Sequence, residues 1–124
     1  MRVFKTKEFA RFARREGIGD DALLEAIDRA ERGIVDAGIG DGLIKQRVHR
    51  PGQGRRGGFR IVIVWRAREL SFFVFGFAKK DKTDLTPREY EAYRKIAALL
   101  LRHTDESIRR ALEAKELVEL TRDG

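Results

Sequence analysis

The sequence predicts a small α+β domain, an antiparallel sheet carrying two N-terminal helices and further C-terminal helices in the order β-α-α-β-β-β-α. Three observations lead there. Two runs, Phe59 to Trp65 and Phe72 to Ala78, are apolar on both strand parities, as central strands covered on each face are. Before them, residues 6 to 33 place apolar positions at helical spacing between capping signals. After them, Thr86, Pro87 and Glu89 form a capping box with Pro at the first helical position, which opens a helical last third.

Met1 to Phe4 reads as a first strand, after which Thr6 caps a helix with Phe9, Phe12 and Ala13 at i, i+3 and i+4, ended by Gly17. Asp20 or Asp21 caps a second helix with Leu23, Leu24, Ile27 and Ala30 on one face and Gly33 just past its end. Ile34 to Gly42, with three glycines, reads as a connector. It leads into a strand from Leu43 to Val48 in which Ile44 and Val48 share one face while Leu43, Lys45, Arg47 and His49 share the other. The segment RPGQGRRGG, residues 50 to 58, holds one Pro and four Gly and is the strongest turn signal in the chain. Strands flank it on both sides.

The short link from Arg66 to Ser71 makes the two apolar strands an antiparallel hairpin. With its turn near Arg68 and Glu69, Arg60 lands beside Ala78, Lys79 and Lys80, within a residue or two of register. In the helix opened by Thr86, the residues Tyr90, Tyr93, Ala97, Leu100 and Leu101 form a stripe, a spacing that fits core packing of the two tyrosines better than catalysis. Thr104 caps a further helix with Ile108, Ala111 and Leu112 inward, Leu117 to Leu120 reads as a short strand or a helix end, and Thr121 to Gly124 as a frayed tail.

At 124 residues, 42% hydrophobic and 38% charged, the chain has the size and balance of one soluble domain, taken as residues 1–120. The longest uncharged apolar runs, IVIVW and FFVFGFA, are far too short to span a bilayer, and no apolar stretch follows the N-terminal charges. A cytoplasmic protein with no membrane partner is expected. The absence of Cys excludes disulfides, Cys-based zinc sites and a thiolate nucleophile, and two histidines, His49 and His103, are too few for a His-rich metal site. No cofactor is expected.

Charge is the sharpest functional signal. Residues 45 to 82 hold 11 Lys or Arg against two acids, Glu69 and Asp81, so this segment carries +9 while the whole chain carries +7. A basic site so localised, lying on strands rather than on a tail, asks for a phosphate-rich partner, and single-stranded RNA offers phosphates together with unstacked bases. The bland alternative for each of Arg47, Arg55, Arg56, Arg66 and Arg68 is a solvated surface charge. The glycine-rich loop lets backbone N–H groups approach a phosphate, but it lacks GxxxxGK[ST] and does not join a strand to a helix, so nucleoside triphosphate binding is rejected.

The combination RVHRPGQGRRGGFRIVIVW, then SFFVFGFAKKDKTDLT, then a helix beginning with Pro87 and Glu89, resembles the RelE/HigB group of bacterial toxins from type II toxin–antitoxin modules. The similar branch carries a loop of the form RPGxGxxGGxR and a strand ending FxFxKxxK. The likeness is detailed over residues 43 to 97 and looser in the N-terminal helices. It implies a small fold with two N-terminal helices packed on one face of an antiparallel sheet and a concave site on that sheet. It further implies an endoribonuclease that cuts mRNA on the ribosome, and a cognate antitoxin, a small DNA-binding protein encoded next to it.

RNA is cut without metal when its 2′-OH attacks the adjacent phosphate, a step that needs a proton acceptor, stabilisation of the phosphate charge and a proton donor for the departing 5′ oxygen. Carried over by the resemblance, Arg60 stabilises the phosphate, and Lys79 and Lys80 contact it or assist the leaving group. Lys45, Arg47, Arg50, Arg55, Arg56 and Lys82 are the expected RNA- and phosphate-binding residues. His49 reads either as a general base or as a surface residue. Relatives often complete the site with a Tyr or His after the last strand, where KKDKTDLT offers neither. Two alternatives from another class stay open: a non-enzymatic RNA- or ribosome-binding domain, and a gyrase poison like the related ParE toxins, which typically lack a basic central site.

Overall fold

The computed structural model describes residues 1–49 and 58–121. Strand β1 (Arg2–Thr6) runs into helix α1 (Lys7–Glu16), followed by α2 (Asp20–Glu31), β2 (Ala37–Gly40), β3 (Leu43–Val48), β4 (Phe59–Arg66) and β5 (Leu70–Ala78). Helices α3 (Pro87–Leu100) and α4 (Asp105–Glu113) and the strand β6 (Leu117–Leu120) complete the chain. The six strands make one sheet in the order β2-β3-β4-β5-β1-β6. Every neighbouring pair is antiparallel except β1 with β5. That parallel pair follows from the connection, because the chain leaves β1 through two helices and returns from the far side of the sheet.

Strand parity sorts the core into two layers. Ile44, Val48, Phe59, Ile61, Ile63 and Phe73 pack under α1 and α2 against Phe9, Ala13, Leu23 and Ile27. Leu43, Val62, Val64, Phe72 and Phe4 pack on the other face against Ala97, Ile108 and Ala111 of α3 and α4. Phe9 stacks on Phe73 at 5.4 Å and Phe4 on Phe72 at 5.2 Å, so each layer has an aromatic pair at its centre. The apolar runs on both parities are thus explained by helices on both faces.

Local signals set most boundaries. The Thr6 hydroxyl accepts from the Phe9 N–H at 3.2 Å, and Gly17 closes α1 at φ 70°, a left-handed conformation that favours glycine. Both expected later caps are present: the Thr86 and Glu89 box, and Thr104 with Ser107 in the same reciprocal arrangement. The expected cap of α2 by Asp20 or Asp21 is corrected, since Gly19 is the N-cap and no side chain bonds there. Asp20 instead accepts from Lys5 at 2.9 Å, while both aspartates sit in the first turn, where the helix dipole favours them.

Within the expected connector, Ala37 to Gly40 forms an edge strand on β3, with a bulge between Gly38 and Gly40. Its glycines hide the β signal. Leu117 to Leu120 is a strand, because β1 offers an open edge to it. Of the tail expected from Thr121 onward, residues 122–124 lie outside the described residues, as do Arg50, Arg55 and Arg56 with the rest of residues 50–57.

Candidate functional site at the end of the sheet

The hairpin register is one residue from the expected one: Arg60 pairs with Phe77, and Phe59 with Ala78. On its other side Arg60 lies directly opposite Arg47. Two like charges facing across adjacent strands destabilise a sheet, so their presence marks a surface shaped for something other than stability. Lys79 follows at the end of β5, its backbone N–H bonded to the Gly58 carbonyl at 3.1 Å. Gly58 is held close: a Cβ there would lie 3.1 Å from the Val48 carbonyl oxygen. Glycine at 58 therefore keeps a side chain out of the space beside the end of β3.

Arg47, His49, Arg60 and Lys79 line one cleft of about 350 Å³, with Arg29 and Asp36 at its side. Among the described residues, no carboxylate pairs with Arg47, Arg60 or Lys79, and no hydrogen bond fixes the His49 ring. Arg47 is instead held by its backbone. Its N–H donates to the Asp36 carboxylate at 2.6 Å and its carbonyl accepts from the Arg29 guanidinium. Arg29 also pairs with Glu25 at 2.9 Å and Asp36 at 3.6 Å. Asp36 is in turn anchored by fully buried Gln46, which accepts from its N–H at 2.8 Å and donates to the carbonyls of Ala26 and Ile34. A buried amide thus holds α2, the connector and β3 so that the Arg47 side chain faces the cleft.

Near the cleft, two further cations of the segment are neutralised, Lys45 on β3 and Lys82 after β5. Lys45 donates to Asp84 at 2.8 Å, and that hydrogen bond, the Leu85 N–H and the field of Lys45 and Arg60 hold the Asp84 carboxyl below its ordinary range. Lys82 pairs with Glu89 and sits over the rings of Phe75 and Phe77 at 5.7 and 5.6 Å. Glu89, which also caps α3, is likewise held low, first by Lys82 and then by the Thr86 N–H. Asp84 and Glu89 are the site-proximal groups that reading the basic segment overlooked. The acids at 81, 84 and 89 in the sequence after β5 were the available signal.

Lys80 is exposed in the turn after β5 and does not line the cleft. Both tyrosines are engaged elsewhere, as their spacing suggested. Tyr93 stacks on Phe75 at 5.0 Å, and burial pushes its hydroxyl up to about 12, helped by the Glu89 charge. Tyr90 donates to the Ile39 carbonyl and so ties α3 to the β2 edge. Among the described residues, no cluster of three or more His, Asp or Glu could hold a metal ion. No helix among them is long and apolar enough to cross a membrane.

These features define a small mixed-sheet α+β domain whose helices cover both faces and whose open end gathers cations able to hold a phosphate. Residues 1–120 match the family model of the RelE toxin of the RelE/RelB toxin–antitoxin system, and the chain belongs to that family. It is the toxin of a toxin–antitoxin module, and membership implies an antitoxin partner of the RelB type. No match is found among curated proteins.

Proposed function

We propose that the chain is a ribosome-dependent mRNA endoribonuclease that acts in the cytoplasm, with its antitoxin a small DNA-binding protein encoded beside it. The single observation that carries this reading is the unpaired set Arg47, Arg60 and Lys79 around one cleft. A ribose-phosphate backbone laid across the sheet end meets two guanidinium forks from adjacent strands. In the step itself, the 2′ oxygen loses its proton and bonds to phosphorus, the bond from phosphorus to the 5′ oxygen breaks, and that oxygen gains a proton. The products are a 2′,3′-cyclic phosphate and a 5′-hydroxyl.

His49, at the cleft wall, takes the 2′ proton, and Arg60 with Arg47 stabilises the dianionic phosphorane. Lys79 supplies the proton to the leaving oxygen. Lys45 and Lys82, held by Asp84 and Glu89, bind the neighbouring nucleotides, with Lys80, Arg50, Arg55 and Arg56 as outer phosphate contacts. Replacing Arg60 by Ala in a chain shown to stay folded should lower cleavage of ribosome-bound mRNA by about 10²- to 10³-fold, the scale of one lost charge-stabilising donor. Undiminished growth inhibition by that variant removes the assigned site.

One observation favours a second reading. Both tyrosines are locked in packing, so no phenol reaches the cleft, and a toxin that binds the ribosome or RNA without cutting would have the same cationic surface. Mapping RNA ends after brief induction decides: codon-registered ends support the nuclease, and their absence with growth arrest supports the binder.

A further inference from the structure

The cleft at the sheet end is not lined by cations alone. Asp36 lies in its wall beside Arg29, and its side chain is 24% exposed. The carboxylate is held in place: the Asp36 N–H donates to Gln46 at 2.8 Å, and Oδ2 accepts from the Arg47 N–H at 2.6 Å. Among the described residues, no hydrogen bond reaches the other oxygen, Oδ1. Arg29, at 3.6 Å from Oδ2, is tied instead to Glu25 at 2.9 Å and to the Arg47 carbonyl. An ionised carboxylate has about four acceptor positions over its two oxygens, so Asp36 keeps oriented acceptor capacity on both.

A phosphate avoids such a group, because acceptor faces acceptor and like charges repel. An RNA backbone is therefore confined to the Arg47, Arg60 and Lys79 side, and whatever turns toward Asp36 must carry donors. The space extends beyond what a phosphate fills, since Arg29, Arg47 and His49 also line a second hollow of about 300 Å³ that reaches Ala22 and Glu25. Unstacked bases are read on their Watson–Crick edges, and those edges differ in what they show a carboxylate. Guanine sets N1–H and N2–H side by side, two donors for two oxygens. Adenine and cytosine place one amino group beside a ring-nitrogen lone pair, and uracil places N3–H between two carbonyl oxygens. Each of these three turns an acceptor on the second carboxylate oxygen.

We infer that Asp36 reads a guanine next to the phosphate held by Arg47, Arg60 and Lys79, and so makes the cleft selective for guanine-bearing sites in RNA. This selectivity rests on the cleft being an RNA site. A two-point, charge-assisted contact of this kind discriminates by about tenfold or more against the wrong base. Holding the Arg47 N–H needs only one acceptor oxygen, which a neutral amide also has. The negative charge beside three phosphate-binding cations weakens attraction for RNA in general and is recovered only where the base supplies paired donors.

The probes are fluorescein-labelled 2′-O-methyl trinucleotides, which cannot be cut and offer no 2′-OH, with adenine at both ends and guanine, inosine, adenine, cytosine or uracil at the centre. Each is titrated against the full chain by anisotropy. The guanine probe should bind at least about tenfold more tightly than the adenine, cytosine and uracil probes. Inosine keeps N1–H and lacks the N2 amino group, so its probe should lose most of that advantage. Asp36→Asn, which keeps an acceptor for the Arg47 N–H but replaces the other oxygen by a donor, should abolish the preference. Arg60→Ala should weaken all five probes and leave their order. No saturable binding, equal affinity for the four standard bases, an inosine probe equal to the guanine probe, or a guanine preference kept by Asp36→Asn with its circular dichroism intact overturns the inference. The inosine comparison uses the parent chain alone and so does not depend on how the variant folds. Cleavage of ribosome-bound mRNA is read separately: a parent chain that cleaves without preferring the guanine probe sinks the guanine site alone, and one that prefers it but does not cleave sinks the nuclease alone.

Discussion

Replacing Gln46 by Leu tests whether one buried amide sets the geometry of the cleft. Its side chain is fully buried and makes three hydrogen bonds, to the Ala26 and Ile34 carbonyls at 2.9 and 3.1 Å and from the Asp36 N–H at 2.8 Å. Leu matches its volume closely enough that packing changes little, so the effect is mainly polar. The Ala26 carbonyl keeps its helical bond within α2, whereas the Ile34 carbonyl and Asp36 N–H lose their side-chain partner. Leaving such groups unsatisfied costs about 1–3 kcal/mol each, and about 3 kcal/mol is expected in total. At a urea dependence of about 1.5 kcal/mol/M, the unfolding midpoint should fall by about 2 M with an unchanged slope. The Arg47 amide, which donates to Asp36, should also exchange its hydrogen faster than in the parent. A midpoint shift below about 0.5 M, or an Arg47 amide exchanging as before, would refute the anchoring role.

Gly76→Ala should destabilise by about 1–3 kcal/mol, measured by thermal unfolding, because the added Cβ would meet a Phe12 ring carbon at 2.4 Å and the Ile61 methyl at 3.0 Å. Adding Phe12→Leu should recover part of that loss. The Glu89 carboxyl is held low in the fold, so its contribution is fully present above the unfolded pKa and vanishes as pH falls through the lower folded value. Thermal midpoints of the parent and Glu89→Gln should therefore differ at pH 7 and converge below about pH 4, and a constant gap would contradict this. Absorbance at 295 nm should show a tyrosine ionising only near pH 12, a step absent from Tyr93→Phe, which should still cleave RNA at the parental rate.

The central strands and their pairing were legible because apolar runs on both parities leave few other folds, and the two Thr caps were legible because their chemistry is local. β2 was not, since Ala37 to Gly40 contains two glycines and pairs only because β3 presents an edge to it. The cap of α2 falls on Gly19, while Asp20 in the first turn accepts from Lys5, a partner distant in sequence that no local pattern records. At the site, strand register gave Arg60 its neighbours to within one residue. The carboxylates that neutralise Lys45 and Lys82 arrive from the turn and helix after β5, so a count confined to the basic segment could not include them.

That neutralisation changes what the +9 of residues 45 to 82 means. Among the described cations of this segment, Lys45, Lys82 and Arg66 each hold a carboxylate, and these pairs lie where α3 or the β4–β5 turn closes over the sheet. Arg47, Arg60 and Lys79 lie where nothing in the described chain closes over it. Arg68 in the β4–β5 turn and Lys80 after β5 also hold no carboxylate among the described residues, but neither lines the cleft. What sets Arg47, Arg60 and Lys79 apart is that strand register gathers them, unpaired, around one cleft, and that points a phosphate chain to the end of the sheet beside Gly58 rather than to the sheet face as a whole.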